Sequence, residues 1–424
     1  IRRPPRSTQS RSSAASDVYK RQEEGSTANI NFGVTFSGGD YPISGLLKWS
    51  ENNFLGRGQS VGVNLEISNR RQLVSLAFTE PWMFGKRWLG GVSLNFEHAV
   101  VYNVLQDLLF PTFNGDEPEA FPDPYLTYEE YRTAIANGEK VPSQYTMQYT
   151  VWKISAGLDS GYRYFTPLGW LGVRGGVSMG LELIDYDPAL HRPFDPEVRA
   201  GQGVWNNVNK LGATLYWDKR DYFLNPSRGF YLAQGATFAF GIPIGSRDFI
   251  RTDSTAEGFL TLVERQAGEN WRFKLVLGAH SALSFILPEF WNIATGPTAI
   301  TTDKLYIDGW NIARGWPLVQ DLKALWDNRI ELRMPISEQI LWAVLFMDAV
   351  AGYPEIRNMA GMSIDDFYFS FGGGIRFSIP QFPIRLYLAK RFKTENGRVV
   401  WQEGDLPLFG TSLDFVISIG GDTF

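Results

Sequence analysis

The residues best suited to a specific interaction lie in one loop, whose sequence from 308 to 317 is DGWNIARGWP. Arg314 is a cation that binds carboxylates in a fixed fork geometry, and Gly315 beside it permits backbone angles that other residues avoid. Trp310 and Trp316 favour burial. This combination predicts a loop that folds inward and docks through an ion pair. The alternative is an ordinary turn with two exposed tryptophans.

Other groups that could carry chemistry are sparse. The chain has no cysteine, which excludes disulfides, thiolate metal ligands and cysteine nucleophiles. The three histidines, His98, His191 and His280, lie far apart in sequence, and no nucleophile motif adjoins them. A net charge of −5 gives no indication of nucleic-acid binding. We therefore expect no catalytic residue, no metal site, no cofactor and no nucleic-acid partner.

The loop belongs to a segment, 286–322, that separates stretches of strong period-two alternation. In the clearest stretch, 367–379, Phe369 and Phe371 share one face and Arg376 lies on the other. Such alternation is typical of strands with one apolar face. Sixteen strands are predicted, near 28–37, 43–53, 60–68, 72–82, 88–98, 150–163, 170–184, 207–219, 230–241, 253–266, 271–284, 323–335, 341–351, 367–379, 384–392 and 412–421.

The connections between these strands alternate between short turns and longer loops, and aromatic residues cluster beside the short turns. No apolar run reaches the roughly 18 residues that a membrane-spanning helix needs. Short turns on one rim, long loops on the other and an aromatic girdle are typical of a transmembrane barrel. The sequence predicts an all-β fold, a 16-stranded antiparallel transmembrane β-barrel. A soluble β-sandwich would also alternate, but its apolar faces would be smaller.

The first residues differ in composition from the rest of the chain. Residues 1–22 are rich in Arg and Ser, have no apolar core, and resemble a translated sequencing-adapter segment. A natural disordered linker is the alternative, and either origin predicts no regular structure. Residues 23–27 are predicted to be a linker, and 28–424 to form the barrel.

Several short motifs, in this order and spacing, resemble those of the BamA family of outer-membrane β-barrel assembly proteins. They are NFLGRG at 53–58, TEPW at 79–82, DKRD at 218–221, NPSRG at 225–229 and ARGW at 313–316. The third and fourth motifs resemble a turn signature of the family, and they contain Asp218, Arg220, Asp221, Pro226 and Gly229. The resemblance covers about 28–424.

This resemblance implies that the ARGW motif lies in the sixth extracellular loop and folds into the lumen. Arg314 would then pair with Glu331 and Asp348, on the two strands that follow. The chain departs from the family motif at Ala313, where the family has Val, and at Trp316, where it has Phe. Both replacements are apolar, so the implied role of the arginine is unchanged.

Strand parity supports the inward direction of one of the two acids. Ile330 and Leu332 take the lipid face, so Glu331 between them must face the lumen. The pattern is ambiguous for Asp348, because both faces of 341–347 are apolar. A carboxylate that faces lipid carries a large free-energy cost, whereas one that faces the lumen does not. This favours a lumenal Asp348.

The barrel is expected to close by pairing its first strand, 28–37, with its last, 412–421. Gly420 and Gly421 weaken the last strand, because glycine packs nothing and bends easily. A weak seam could open as a lateral gate and offer its edge to another strand. The alternative is that the two glycines simply end the strand.

The last strand carries apolar residues at alternate positions, including Phe415 and Ile417, and the chain ends at Phe424. A terminal aromatic residue after such alternation resembles the recognition signal of bacterial outer-membrane barrels. Phe424 could equally join the aromatic girdle, and the two roles are compatible.

The resemblance implies a protein that folds and inserts other barrels into the bacterial outer membrane, and not an enzyme. The implied partners are the outer-membrane lipid bilayer, nascent outer-membrane β-barrel proteins, and accessory periplasmic or lipoprotein subunits. Family members bind accessory subunits through POTRA domains, and nothing in 1–424 resembles these, so the chain resembles an isolated barrel domain. The alternatives are a secretion pore of the two-partner or translocation type, a passive porin and a barrel lipase or protease.

Overall fold

The computed structural model describes residues 28–35, 44–68, 71–105, 130, 133–134, 146–188, 198–199, 201–223, 225–240, 248–266, 272–287, 303–337, 340–378, 384–404, 406–408 and 410–419. The predicted adapter and linker segments lie outside these residues, as do Gly420, Gly421 and Phe424. No helix among the described residues is long and apolar enough to cross a membrane.

The sixteen long strands that were predicted are present. They are β1 (Ala28–Thr35), β2 (Ser44–Phe54), β3 (Gln59–Ser68), β4 (Arg71–Met83), β5 (Trp88–Leu105), β6 (Thr146–Thr166), β7 (Gly169–Asp185), β8 (Trp205–Asp218), β9 (Gly229–Phe240), β10 (Phe249–Gln266), β11 (Arg272–Leu287), β14 (Ala324–Ser337), β15 (Leu341–Tyr353), β16 (Phe367–Phe377), β17 (Ile384–Glu395) and β20 (Thr411–Ile419). Each is antiparallel to the next long strand in the chain, so the all-β barrel prediction is confirmed.

Four short strands and two 3-10 helices were not predicted. The short strands are β12 (Leu305–Ile307), β13 (Val319–Leu322), β18 (Arg398–Trp401) and β19 (Leu406–Leu408), and the 3-10 helices are Ile356–Gly361 and Ile364–Asp366. β12 and β13 pair with each other inside the segment predicted to be strand-free. β18 and β19 join the wall, so the described residues form one sheet of 18 strands and one of 2.

Side chains alternate between the two faces of the wall, as β15 illustrates. Val344, Phe346 and Asp348 point inward and are buried, whereas Leu345 and Met347 are exposed on the outer face. The outer positions of the other long strands carry large exposed apolar side chains in the same way. Lipid covers such a surface at no hydrophobic cost, and paired strands satisfy their backbone groups without water.

The lumen beside β11, β14 and β15 is filled by the loop that follows β11. Its apolar residues pack against the inner wall and form one core cluster, which includes Ile307, Ala313, Trp316 and Leu322 from the loop and Ile286, Leu325 and Val350 from the wall. The long loop is therefore part of the folded core, as its tryptophans suggested.

The expected closure between first and last strands is wrong for the described residues. No ladder joins β1 to β20, and β20 bonds to the wall on its other edge, where Ile384–Ala389 of β17 pair with Asp414–Ile419 in six residue pairs. Neighbouring β16 and β17 share nine pairs. Sequence alternation indicates which face of a strand is buried, but it does not specify which strand pairs with its edge. Closure of the barrel therefore could not be predicted from alternation.

Candidate functional site

The loop between β12 and β13 is shaped by one carboxylate and three unusual backbone angles. Asp308 Oδ1 accepts hydrogen bonds from the backbone N–H groups of Trp310, Asn311 and Ile312 at 3.0, 2.8 and 2.7 Å. Burial raises the pKa of the Asp308 carboxyl, and these three donors offset the rise only in part. Gly309, Ala313 and Gly315 adopt positive φ angles of 77°, 53° and 90°. The resulting tight turn presents the residue between Ala313 and Gly315 to the wall.

That residue, Arg314, is 2% exposed and contacts both predicted acids. Its Nε and Nη2 atoms donate to Asp348 at 2.8 and 2.6 Å, and Nη1 donates to Glu331 Oε1 at 2.7 Å. The backbone N–H of Arg314 also donates to Asp348 at 3.1 Å. The guanidinium carbon lies 3.8 Å from the Phe346 ring centroid and 4.8 Å from that of Tyr387. A planar fork between two carboxylates and two rings fits arginine and no other side chain.

The Glu331 carboxylate is shared among several cations. It has no exposed side-chain surface, and besides Arg314 it accepts from Arg333 at 2.7 Å and from Arg376 at 3.1 Å. Arg333 is two residues along on the same inward face of β14, and Arg376 lies on β16. Buried charges are tolerated when they are paired and hydrogen-bonded in this way. The cluster therefore ties the loop to strands β14, β15 and β16.

A second row of ionic contacts runs along the inner wall away from the loop. Arg329 donates to Asp327 at 3.0 and 2.9 Å on β14. His280 Nε2 lies 3.6 Å from Asp327, and its Nδ1 lies 3.5 Å from Glu257 on β10. Glu257 in turn accepts from Arg220 at 3.0 Å. These contacts link the interior beside the loop to the turn after β8.

The turn after β8 contains the DKRD and NPSRG motifs and is built around Arg220 and Asp221. Arg220 donates to both oxygens of Asp218, at 3.0 and 2.8 Å. Asp221 Oδ1 accepts from the backbone of Ser227 at 2.8 Å and closes the loop of the turn. Gly229 has φ 104°, and a Cβ there would lie 2.1 Å from the Lys219 carbonyl oxygen.

The remaining residue of the motif, Pro226, is buried between Asn225 and Ser227. Five motif residues thus come together in one turn, with each in a distinct structural role.

The docked loop also touches the last strand. Asn311 forms a hydrogen bond with the Ser418 hydroxyl of β20. A Cβ on Gly315 would lie 3.2 Å from Cβ of Asp414, so the backbone of the loop approaches β20 closely. Trp310 packs on a cluster that includes Val416. The loop therefore supports β20 from the lumen along alternate residues 414, 416 and 418.

The outward residues of β20 are those expected from the sequence. Phe415 is 55% exposed and Ile417 lies on the same face, away from the inward Asp414, Val416 and Ser418. The other two candidate gate residues, Gly420 and Gly421, lie outside the described residues with Phe424.

Sequence reasoning missed most of the ionic partners around the site. Asp327, Arg329, Glu331 and Arg333 occupy every second position of β14, and all are buried. Charged residues at every second position of one strand could have predicted a network of ion pairs in the lumen. His280 carried no such signal, because its two acidic partners come from different strands, β10 and β14.

Comparison with known proteins identifies the family. A family model described as the Omp85 superfamily domain matches residues 53–421. The chain belongs to the Omp85 superfamily. Omp85 proteins of this kind lie in the bacterial outer membrane, so the predicted location is confirmed, and the resemblance to BamA-type barrels is confirmed with it.

The relatives of this Omp85 chain are distant. A protein of Treponema pallidum (strain Nichols) named "Putative outer membrane protein assembly factor" is 28% identical over 414 residues, which cover 90% of this chain and 47% of that protein. The chain thus spans about half the length of this curated relative.

Three solved structures share the Omp85 fold. BamA from Haemophilus ducreyi lacking POTRA domains 1–3 matches with a TM-score of 0.61 and 13% identity, covering 94% of this chain and 71% of that one. CdiB from Acinetobacter baumannii matches with a TM-score of 0.53 and 10% identity, covering 93% and 59%. CdiB from Escherichia coli matches with a TM-score of 0.54 and 10% identity, covering 94% and 62%.

Proposed function

We propose that this Omp85 barrel folds and inserts other β-barrel proteins into the outer membrane, with β20 as the strand that receives them. The observation that carries the proposal is the pairing of β20 with its neighbouring strands. Within the described residues β20 forms six residue pairs with β17 and three with the short strand β19, and it shares no ladder with β1. A strand edge with free N–H and C=O groups templates the addition of another strand.

The docked loop gives this edge a defined position. A strand held by a short ladder would fray without further support. Here Asn311 bonds Ser418 and Gly315 packs on Asp414, while Arg314 anchors the loop to β14 and β15. The loop thus supports the lumenal face of β20 and leaves its edge available to a client strand.

The outward face of β20 suits a lipid-facing client. Phe415 and Ile417 continue the apolar outer surface, so a client strand added to this edge would place its own alternate apolar residues in the bilayer. Besides the bilayer and nascent barrel proteins, accessory periplasmic or lipoprotein subunits are proposed as partners.

A secretion pore is the second candidate, and one feature of the lumen favours it. A cavity of about 800 Å³ lies along β4 to β10, and its lining includes many small residues and the charged side chains of Asp159, Arg174, Lys210 and Asp253. A lumenal cavity with charged side chains of both signs suits passage of an extended polar chain. Transport would require the docked loop to leave the lumen, whereas assembly at β20 would not.

Photocrosslinking tests the assembly proposal directly. Phe415 is replaced by a photoreactive phenylalanine, and the chain in liposomes receives an unfolded outer-membrane barrel protein. We expect crosslinks to the client from this position but not from the same replacement at Phe371, which is outward on β16. Equal crosslinking from both positions would contradict a role for β20.

Tethering the loop separates the two candidates. A crosslink that fixes Asn311 to Ser418, which are already in contact, should leave client assembly intact if β20 is the receiving strand. The same crosslink should abolish transport if the chain is a pore whose loop must move.

A further inference from the structure

The last strand leaves its neighbour at a defined fork in the wall. Ala389 and Asp414 form the final pair of the β17–β20 ladder, counted from the short-turn rim. Beyond it, β17 pairs with β18 from Phe392 onward, and β20 pairs with β19 through Leu413. Each strand therefore acquires a new partner within a few residues of the fork.

Two adjacent basic residues of β17 lie at this fork, one on each face of the wall. Lys390 pairs with Phe371 of β16 and shares the outer face with it. Arg391 points to the lumen, where its guanidinium lies 5.5 Å from the ring centroid of the docked Trp316. A lysine on the lipid-facing side of a strand destabilises the protein unless its ammonium group donates hydrogen bonds to nearby acceptors.

The Lys390 ammonium finds three acceptors on the outer face. Nζ donates to the Ser412 carbonyl at 2.8 Å, to the Ser412 hydroxyl at 3.1 Å and to the Gln402 carbonyl at 3.0 Å. Ser412 belongs to β20, and Gln402 follows β18. These bonds take the place of ladder bonds between β17 and β20, which stop at the preceding residue of β17.

Arg391 makes the corresponding contacts on the lumenal face. Its Nε and Nη2 atoms donate to the Asp414 carboxylate at 2.7 and 3.1 Å, and Nη2 also donates to the Glu403 carbonyl at 2.6 Å. The backbone N–H of Gln402 donates back to the Arg391 carbonyl at 3.1 Å. Both basic residues therefore bind the same two segments, β20 and the stretch at 402–403.

We propose that Lys390 and Arg391 form a basic clamp that fixes the point at which β20 parts from β17. The clamp sets the length of the last strand that is held against β17, and loss of its outer half loosens Thr411 to Leu413, while Arg391 and the pair with Ala389 still hold Asp414. Both are positioning residues, because they act through β20 and contact no client. The inference deepens the proposed function, since the freed length is the length available to a client strand.

Hydrogen exchange on the complete chain in lipid nanodiscs tests the outer half of the clamp. Lys390→Met keeps the apolar stem and removes all three donors. Loss of charge-assisted hydrogen bonds of this kind should speed exchange of the amides of Thr411, Ser412 and Leu413 by about tenfold or more. Leu388→Met, on the same face of the same strand, removes no donor and should leave exchange unchanged.

Two further measurements separate a clamp from a general structural effect. Lys390→Arg retains donors on a long stem and should restore most of the protection. Exchange in β10 and β11, which β14, β15 and β16 separate from β17, should be unaffected in all variants. Equal exchange in Lys390→Met and Leu388→Met would overturn the proposal, as would acceleration of β10 and β11 to the same extent as β20.

The measurement uses no client, so its outcome is independent of the assembly proposal. If hydrogen exchange contradicts the clamp, the assembly proposal is still tested independently by photocrosslinking from Phe415. Protection that falls as expected while no client crosslinks to β20 would retain the clamp and reject the assembly function.

Discussion

Arg314 holds the loop because its guanidinium satisfies two carboxylates at once, in surroundings that exclude water. The Arg314, Glu331 and Asp348 side chains are 0–3% exposed. A lysine ammonium could reach one carboxylate at a good angle but not both, since it lacks the planar fork. The geometry thus makes the site specific for arginine as well as for positive charge.

We expect Arg314→Ala to lower the free energy of unfolding by about 3–5 kcal/mol, because two buried carboxylates would lose their shared partner. The side chains of the cluster are almost fully buried, so solvent does not screen the loss. Arg314→Lys should recover part of the loss. Urea titration of the chain in micelles measures both, with the exposed Arg57→Ala as control. An unfolding midpoint of Arg314→Ala equal to that of the control would contradict the prediction.

Gly315→Ala should also destabilise the docked loop, through backbone strain and through crowding. Gly56→Ala is a matched variant that separates the two effects. The φ of 90° at Gly315 is unfavourable for any residue with a Cβ, and that Cβ would lie 3.1 Å from Ala389 and 3.2 Å from Asp414. Gly56 has φ 72° with no atom within 4 Å, so Gly56→Ala carries the backbone penalty alone, about 1–2 kcal/mol. Crowding should add about 1 kcal/mol or more at position 315. Equal losses would show that contact with the last strand is unimportant.

The site could be predicted from sequence only in part. Parity placed Glu331 in the lumen because its neighbours are apolar, and the motif resemblance supplied Asp348. Arg333 and Arg376 were not foreseen, since alternation shows which face a residue takes but not which neighbours across strands it reaches. Cross-strand contacts depend on register, and register is set by the whole sheet.

At the scale of elements, the turn after β8 is joined to the wall by a buried arginine. The Arg220 side chain is 5% exposed and bonds Asp218 and Glu257, whose side chains are 25% and 9% exposed. Its ring neighbour Tyr231 lies 4.5 Å from the guanidinium carbon. The turn is consequently a rigid corner of the barrel and not a free hairpin end.

We expect Arg220→Ala to destabilise the barrel by about 3 kcal/mol, because the buried Glu257 would lose its arginine and keep only the longer contact with His280. Arg228 in the same turn offers a matched control. It pairs with Glu264 but is 67% exposed, so Arg228→Ala should cost less than about 1 kcal/mol. Thermal unfolding followed by circular dichroism compares the two, and similar losses would rule out a structural role specific to Arg220.

The long strands could be predicted because each carries alternation over many residues, but the short ones could not. β12 and β19 have three residues each, which is too few to show a period of two. The ends of β5 and β6 were also misplaced. β5 continues to Leu105, well past its predicted end near 98, because paired strands extend beyond the region where lipid enforces an apolar face.

At the scale of the whole molecule, the wall has one discontinuity within the described residues, between β1 and β20. Joining these strands covalently should stop client assembly if β20 must present its edge. Ile30→Cys with Ile417→Cys, bridged by a flexible bis-maleimide, places the link near the short-turn ends of both strands. We expect assembly of a client barrel in liposomes to fall at least about tenfold, and cleavage of a reducible linker to restore it.

The control for this experiment links two strands that are already paired. Val177→Cys and Leu211→Cys face each other on β7 and β8. The same reagent there should leave assembly unchanged. Full activity with a quantitative Ile30–Ile417 link would exclude opening of this seam as a required step.

The contact between the loop and the last strand has a consequence for the order in which the chain folds. Arg314 binds Glu331 and Asp348 from 17 and 34 residues away, whereas Asn311 meets Ser418 across 107 residues. Contacts of long sequence separation form late, because closing a larger loop costs more chain entropy. We expect the arginine to dock once β15 is in place, before β20 arrives. The docked loop would then be a preformed surface on which the chain adds its own final strand. A variant whose loop cannot dock should accumulate as a late folding intermediate. In that intermediate the backbone amides of the other long strands would be protected from hydrogen exchange, and those of β20 would not.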